Sequence, residues 1–299
     1  MDKKGIKIAI FPKGYIDELC DGRMSLFEWI EMAGTLGADG LELYPPFLVD
    51  TGSVYLQKIK IEAEKQRLLI PMMCSSPDFT HPDPAFRQHE IEKMKTMIDV
   101  MEFLGPPSFR SCRVLSGQNR PEITKEEGIR WTVECIQELL PYAASKKVYL
   151  VMENHYKDGF WIYPEFAQAH QLFIEIIQQI VSPWFGVNFD PSNAVFAGED
   201  PIWVMAELKH RILTMHASDR YLKEGYKLED IKHFTQTGYS QAMSHGVIGK
   251  GVIDYHKVFE QLQSIKFSNW ISIEDGVNGL GDLKDSVKFL RNKVNEYNK

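Results

Sequence analysis

Short β-rich runs alternate with amphipathic helical stretches along the whole chain, and nothing else in the sequence constrains the fold as strongly. The runs are Ile6–Phe11, Gly40–Tyr44, Leu68–Cys74, Ser108–Leu115, Val148–Glu153, Phe185–Asp190, Ile212–His216 and Trp270–Glu274. Between them, apolar residues recur at helical spacing, as in Leu26–Leu36, Ile91–Leu104, Ile129–Ala144, Phe166–Ile180 and Val258–Ile265. Strands separated by helices form parallel sheets, because each crossover must return the chain to the same end. Eight such units predict an α/β fold, a closed (β/α)8 TIM barrel, with residues 1–299 as a single domain. An open doubly wound sheet does not need eight equal units, and no GxGxxG follows the first run.

The widest interval separates the last two runs and contains Tyr221–Gly251, rich in Lys, Gly, His and Gln and weakly periodic. Segments this long inside compact domains are usually functional. In a barrel this one lies on the C-terminal face, where active sites are built, so it is expected to cover the mouth around a substrate.

Composition closes other routes. With 44% hydrophobic and 25% charged residues the chain is neither disordered nor a coiled coil. A net charge of −7 without a basic stripe argues against nucleic acid as a partner. No apolar run approaches the roughly 20 residues of a membrane span. The N-terminus has no signal-peptide pattern, and Cys20, Cys74, Cys112 and Cys135 are far apart with no CxxC. Disulfides and a thiolate zinc site are therefore not expected, and a cytoplasmic location is.

Function is written at the ends of the last four runs. Side chains alternate along a strand, so each run has two faces. Tyr149, Val151 and Glu153 share one face; Gly186, Asn188 and Asp190, then Ile212, Thr214 and His216, then Trp270, Ser272 and Glu274 do the same in the next three. The opposite faces are apolar throughout and belong under the helices. The first faces must line the barrel, and they end in Glu, Asp, His and Glu. Like charges converging there repel and are costly to desolvate. One divalent cation removes both objections, and oxygen donors with one nitrogen suit Mn²⁺, Mg²⁺, Co²⁺, Fe²⁺ or Zn²⁺. Glu153, Asp190, His216 and Glu274 are the expected ligands.

Polar residues gather around them. Glu42, His155, Asn193, Asp219, Arg220, Lys223 and His245 are candidates to bind substrate. Glu42 projects inward by phase, where substrate binding and a buried network are equally open. Lys13 is expected to be a solvated loop lysine, and His81 a loop histidine. Gly249-Lys250-Gly251 reads as a tight turn before a helix, ahead of an anion site.

At this point the sequence resembles the xylose isomerase-like TIM barrels, the group of sugar isomerases and epimerases, inosose dehydratases, 3-dehydroshikimate dehydratases and endonuclease IV-type enzymes. The resemblance spans nearly the whole chain. It is carried by Gly37-Ala38-Asp39-Gly40-Leu41-Glu42-Leu43, Met152-Glu153-Asn154-His155, Asn188-Phe189-Asp190-Pro191-Ser192-Asn193, Met215-His216-Ala217-Ser218-Asp219, Gly249-Lys250-Gly251-Val252-Ile253-Asp254 and Ile273-Glu274. It implies that Glu153, Asp190, His216 and Glu274 bind one metal, often Mn²⁺, and that the two Glu also act as acid and base. The sequence departs from the nuclease branch, with Cys74-Ser75-Ser76 and Leu115-Ser116-Gly117 where extra His ligands would stand. From the ketose 3-epimerases it departs at Asn193 and Leu222.

The expectation is thus a metal-dependent isomerase or epimerase of a small carbohydrate or keto-polyol, working through an enediolate, with Glu153 and Glu274 as the proton-transfer groups. A hydro-lyase sharing that intermediate is the alternative. A DNA-repair phosphodiesterase and a non-catalytic carbohydrate-binding barrel rank lower. A homo-oligomer is left open by the sequence.

Overall fold

All eight expected runs form parallel strands in the structure, a computed structural model that describes residues 5–233 and 240–297. In chain order the elements are β1 (Lys7–Ile10), α1 (Ile16–Cys20), α2 (Leu26–Ala33), β2 (Gly40–Leu41), α3 (Ser53–Lys65), β3 (Met72–Cys74), α4 (Pro84–Leu104), β4 (Ser111–Val114), α5 (Lys125–Ser145) and β5 (Tyr149–Glu153). They continue with α6 (His170–Gln179), β6 (Phe185–Phe189), α7 (Pro191–Phe196), α8 (Pro201–Leu208), β7 (Ile212–Ala217), the short strands β8 (Arg220–Leu222) and β9 (Met243–His245), α9 (Tyr255–Ser264), β10 (Trp270–Ile273) and α10 (Leu280–Tyr297).

The ladder runs β2–β1–β10–β7–β6–β5–β4–β3. Single-residue parallel bridges, Gly40 to Leu69 and Leu43 to Met73, carry β2 back to β3 and close the barrel. Leu150, Met152, Val187, Phe189, Met215, Ile271 and Ile273 are buried on the outer face, as the alternation requires. The described residues contain no helix long and apolar enough to cross a membrane.

Local chemistry sets the boundaries. Capping boxes start α2 at Ser25 with Glu28 and α5 at Thr124 with Glu127. Pro71 has no N–H for a ladder, and β3 begins after it. The expected helix from Phe166 starts only at His170: the Phe166 N–H donates to Gly117 O at 2.8 Å and the Ala167 N–H to Ser116 Oγ at 3.0 Å, pinning that segment to the loop after β4.

Tyr221–Gly251, expected to be irregular, contains part of an antiparallel hairpin, β8 against β9, pairing Arg220 with His245 and Leu222 with Met243. A 3-10 turn covers Leu228–His233. Residues 234–239 of that segment lie outside the described residues.

Candidate metal centre and cleft

Glu153 closes β5, and its register partner is Asn188 on β6. Asp190 follows β6 and caps α7, where Pro191 at the first helical position fixes the start. Its Oδ1 accepts the N–H groups of Ser192 and Asn193 at 2.7 and 3.3 Å. Asn154 locks the two strand ends together: its Nδ2 donates to Asp190 O and its Oδ1 accepts the Asp190 N–H, both at 2.8 Å. His216 pairs in register with Ser272, and the Glu274 N–H extends that ladder to Ala217 O. The four side chains are buried, and one donor atom from each lies within 4.8 Å of the others.

Each carboxylate has its own neighbours. Glu153 Oε2 accepts from Arg113 Nη1 at 2.7 Å and Oε1 from Asn193 Nδ2 at 3.1 Å. Glu274 Oε1 pairs with Lys13 Nζ at 3.1 Å. Ser218 donates to Asp190 Oδ2 at 2.6 Å. His216 Nδ1 lies 3.3 Å from both Glu153 Oε1 and Glu274 Oε2.

These surroundings split the carboxyls. Burial opposes ionisation of Glu153, but His216 and Arg113 bring it down to about 2. Burial likewise opposes ionisation of Glu274, yet Lys13 and His216 hold it well below the usual range. Burial and then the charges of Glu274 and Glu153 push Asp190 up to about 6. His216 is lowered by burial and raised more by Glu153, Glu42 and Glu274, ending well above an ordinary imidazole.

Three carboxylates and an imidazole crowded to this degree are a donor set that a hard or borderline divalent cation fits. The described residues hold one further group with ligand spacing, Glu42, Cys74 and His216, and it shares its histidine with the first.

A cleft of about 310 Å³ opens above the cluster, with Glu274, Arg113, Lys13, His155, Asp158 and Tyr44 among its lining residues. From Glu153 a hydrogen-bonded chain crosses its wall. Arg113 Nη2 donates to Ser76 Oγ at 3.0 Å, Ser76 donates to Asp158 Oδ2 at 2.7 Å, and Tyr44 donates to the same oxygen at 3.3 Å. Phe160 stacks on Tyr44, with centroids 6.4 Å apart, at the rim. A cavity of similar size, about 320 Å³, lies behind Tyr44 against α4. It is mainly apolar and touches no member of the acidic cluster.

The structure sorts the expected substrate residues. His155 lines the cleft, and its Nδ1 is 3.8 Å from Glu165 Oε2. Asn193 binds Glu153. Glu42 lies one layer down, 3.0 Å from His216 Nε2. Arg220 is buried, paired with Asp275 at 3.0 Å and stacked over Phe196; His245 Nδ1 contacts the other oxygen of Asp275 at 2.9 Å.

Two residues are placed elsewhere. Asp219 gives its oxygens to four backbone N–H groups, of Arg220, Gly249, Gly251 and Ile253, at 2.9 to 3.1 Å. The turn Gly249–Gly251 therefore holds an anion from its own chain. Lys223 is exposed. Lys13, expected in solvent, instead reaches the mouth, because β1 pairs with β10 and sets the following loop beside Glu274. His81 is a loop residue stacked on Phe86.

Sequence reasoning missed Arg113, Asp158, Glu165 and Asp275. For Arg113 a signal existed, because Ser111 and Arg113 share a face opposite Cys112 and Val114 on β4.

Residues 30–293 match the family described as xylose isomerase-like TIM barrel. Among curated proteins, an inosose dehydratase of Bacillus cereus (strain AH820) is 26% identical over 160 residues, 52% of this chain and 50% of that protein. The chain spans about half the length of the curated relatives it matches. Two solved structures share the fold. D-psicose 3-epimerase from Clostridium cellulolyticum H10, with D-tagatose, superposes with a TM-score of 0.73 at 14% identity, over 96% of this chain and 99% of that one. An IOLI protein with a zinc atom gives 0.73 at 16% identity, over 97% and 99%. On the match over residues 30–293, this chain belongs to the xylose isomerase-like TIM barrel family.

Proposed function

We propose that the barrel mouth is the active site of a metal-dependent isomerase or epimerase acting on a small sugar or keto-polyol. The observation that carries this reading is the convergence of Glu153, Asp190, His216 and Glu274 beneath an open polar cleft. The neighbour that carries zinc and the one bound to D-tagatose support it. The four residues would hold one divalent ion, Mn²⁺ first, which when bound polarises a substrate carbonyl and stabilises the adjacent enediolate.

The rest falls to the protein. Arg113 keeps Glu153 ionised, the state in which it accepts the proton from the carbon beside the carbonyl. Glu274, held ionised by Lys13 at 3.1 Å, takes a proton from solvent in the cleft and delivers it to the opposite face, while Glu153 releases its own proton to solvent. Asn193 and Arg113 fix the two oxygens of Glu153, so the proton is taken in one direction. Tyr44 and Phe160 give the cleft an apolar rim against which a ring or chain can lie, while Asp158 accepts from a hydroxyl.

A second reading, a hydro-lyase, is favoured by His155. Its ring lines the cleft 3.8 Å from Glu165 and adds an imidazole within reach of a departing hydroxyl. The inosose dehydratase relative supports it as well.

One assay separates them. The protein loaded with Mn²⁺ is incubated with free ketoses and keto-inositols in deuterium oxide. Deuterium at the α-carbon without loss of water marks the isomerase or epimerase; an enone or enediol product marks the hydro-lyase. Neither outcome, with a full metal site, leaves a binding protein and sinks both enzyme readings.

A further inference from the structure

Below the four candidate ligands lies a layer the proposed reaction does not use. Glu42, Cys74, Ser272 and the inner edge of His216 meet there without exposure to solvent. Glu42 is the hub. Its Oε2 lies 3.0 Å from His216 Nε2 and accepts the Cys74 thiol at 3.1 Å, while Ser272 donates to Oε1. The three donors come from three strands, β3, β7 and β10, so the carboxylate is fixed from three directions. The opposite ring nitrogen, Nδ1, faces Glu153 and Glu274. Glu42 is an acceptor and offers no proton, so in the 3.1 Å contact the Cys74 thiol is the donor.

A neutral imidazole carries one N–H, and whichever nitrogen donates leaves the other as the acceptor or ligand. We propose that Cys74 and Glu42 are positioning residues for His216: the Cys74 S–H and Ser272 O–H orient the Glu42 carboxylate, which takes the Nε2–H and so presents the Nδ1 lone pair to the metal. This rests on the metal reading of the mouth and assigns roles that reading does not need. Partners of this kind typically tune metal affinity by about 10- to 100-fold. The same three side chains could instead hold a second ion, but that requires the thiolate.

The test uses Co²⁺ as the probe on the full chain, with affinity read by chelator competition and geometry by visible absorption. Glu42→Gln should weaken binding by about 10- to 100-fold and shift the cobalt bands. Cys74→Ala should move both in the same direction by less, and Cys74→Ser, which keeps a donor, should restore them. Wild-type affinity and bands in Glu42→Gln overturn the relay while leaving the metal site standing. No Co²⁺ binding by the wild type overturns both. Two Co²⁺ per chain with a thiolate charge-transfer band overturns the relay in favour of a second ion. A measurement free of variants is nitrogen NMR of the Zn²⁺-loaded wild type. Protonated Nε2 with Zn²⁺ at Nδ1 is expected, and Zn²⁺ at Nε2 refutes the relay.

Discussion

Asp190 and Asp219 are both buried aspartates just beyond strands of the same barrel, and both were expected from sequence to serve the site. Their surroundings differ in sign. Asp219 is met by four N–H groups from its own segment, two of them from the turn Gly249–Gly251. A Cβ on Gly251 would come within 2.3 Å of its Oδ1, so the turn is shaped around that oxygen. Burial raises both, but for Asp219 the N–H groups work against it, whereas Asp190, which also caps a helix, is raised by burial and further by the charges of Glu274 and Glu153, to about 6. A buried carboxylate among donors closes a loop. A buried carboxylate among carboxylates waits for a cation.

The largest effect should separate the two regions by chemistry. Glu153→Gln and Glu274→Gln should each lower turnover by roughly 10²–10⁴-fold while much of the metal stays bound. Asp219→Asn should change turnover only a few-fold. Equal losses in both would erase the distinction.

Stability should divide them the other way. Asp219→Ala leaves buried N–H groups unpaired, at about 1–3 kcal/mol each when water cannot replace the acceptor. The thermal midpoint should fall by roughly 6–12 °C, with metal content unchanged. A midpoint within a degree or two of wild type would mean the loop does not need its anion.

The metal-free protein should show the crowding directly. Glu153, lowered to about 2, contributes stability that is present above its unfolded value near 4.3 and is lost as pH falls toward 2. Asp190 is raised to about 6, so its contribution is opposite: stability declines as pH rises from about 4 to 6. Denaturation curves in chelator should show that decline. Asp190→Asn should flatten it, and added metal should cancel it in the wild type. A flat wild-type profile would show that Asp190 does not feel its neighbours.

The smallest effect expected is at Lys223. Being exposed, Lys223→Ala should leave turnover alone and stability within about 0.5 kcal/mol. A clear loss of activity would bring the hairpin region back to the mouth.

The barrel was legible because period-two alternation marks a strand locally: Tyr149, Val151 and Glu153 announce their common face without reference to any other residue. The four converging strand ends follow from that same phase once closure is assumed. Lys13 was not legible, since its partner Glu274 is 261 positions away and only the pairing of β1 with β10 joins them. The hairpin β8–β9 was missed for a similar reason. Its strands have three residues each, too few for a pattern, and a long segment lies between them. Arg113 carried a readable phase but sits a layer below its strand's end, and only its length brings the guanidinium up to Glu153. Asp219 shows the converse: its type and position advertised a ligand-binding residue, and only the folded turn reveals where its oxygens go.

The closure between β2 and β3 has a consequence for how the molecule opens. That edge has four backbone hydrogen bonds, Leu41 N–H to Leu69 O, Leu69 N–H to Asp39 O, Leu43 N–H to Met72 O and Cys74 N–H to Leu43 O. It is interrupted at Pro71, which has no N–H to give, whereas β5, β6 and β7 run side by side in longer ladders across the barrel. Local opening begins where pairing is sparse. Amide exchange should therefore be fastest along Gly40–Leu43 and slowest through Leu150–Glu153. Glu42 and Cys74 stand on opposite sides of that edge, and the thiol is otherwise sealed from solvent. The rate at which Cys74 is alkylated thus becomes a clock for the breathing of the barrel, read in the layer just below His216.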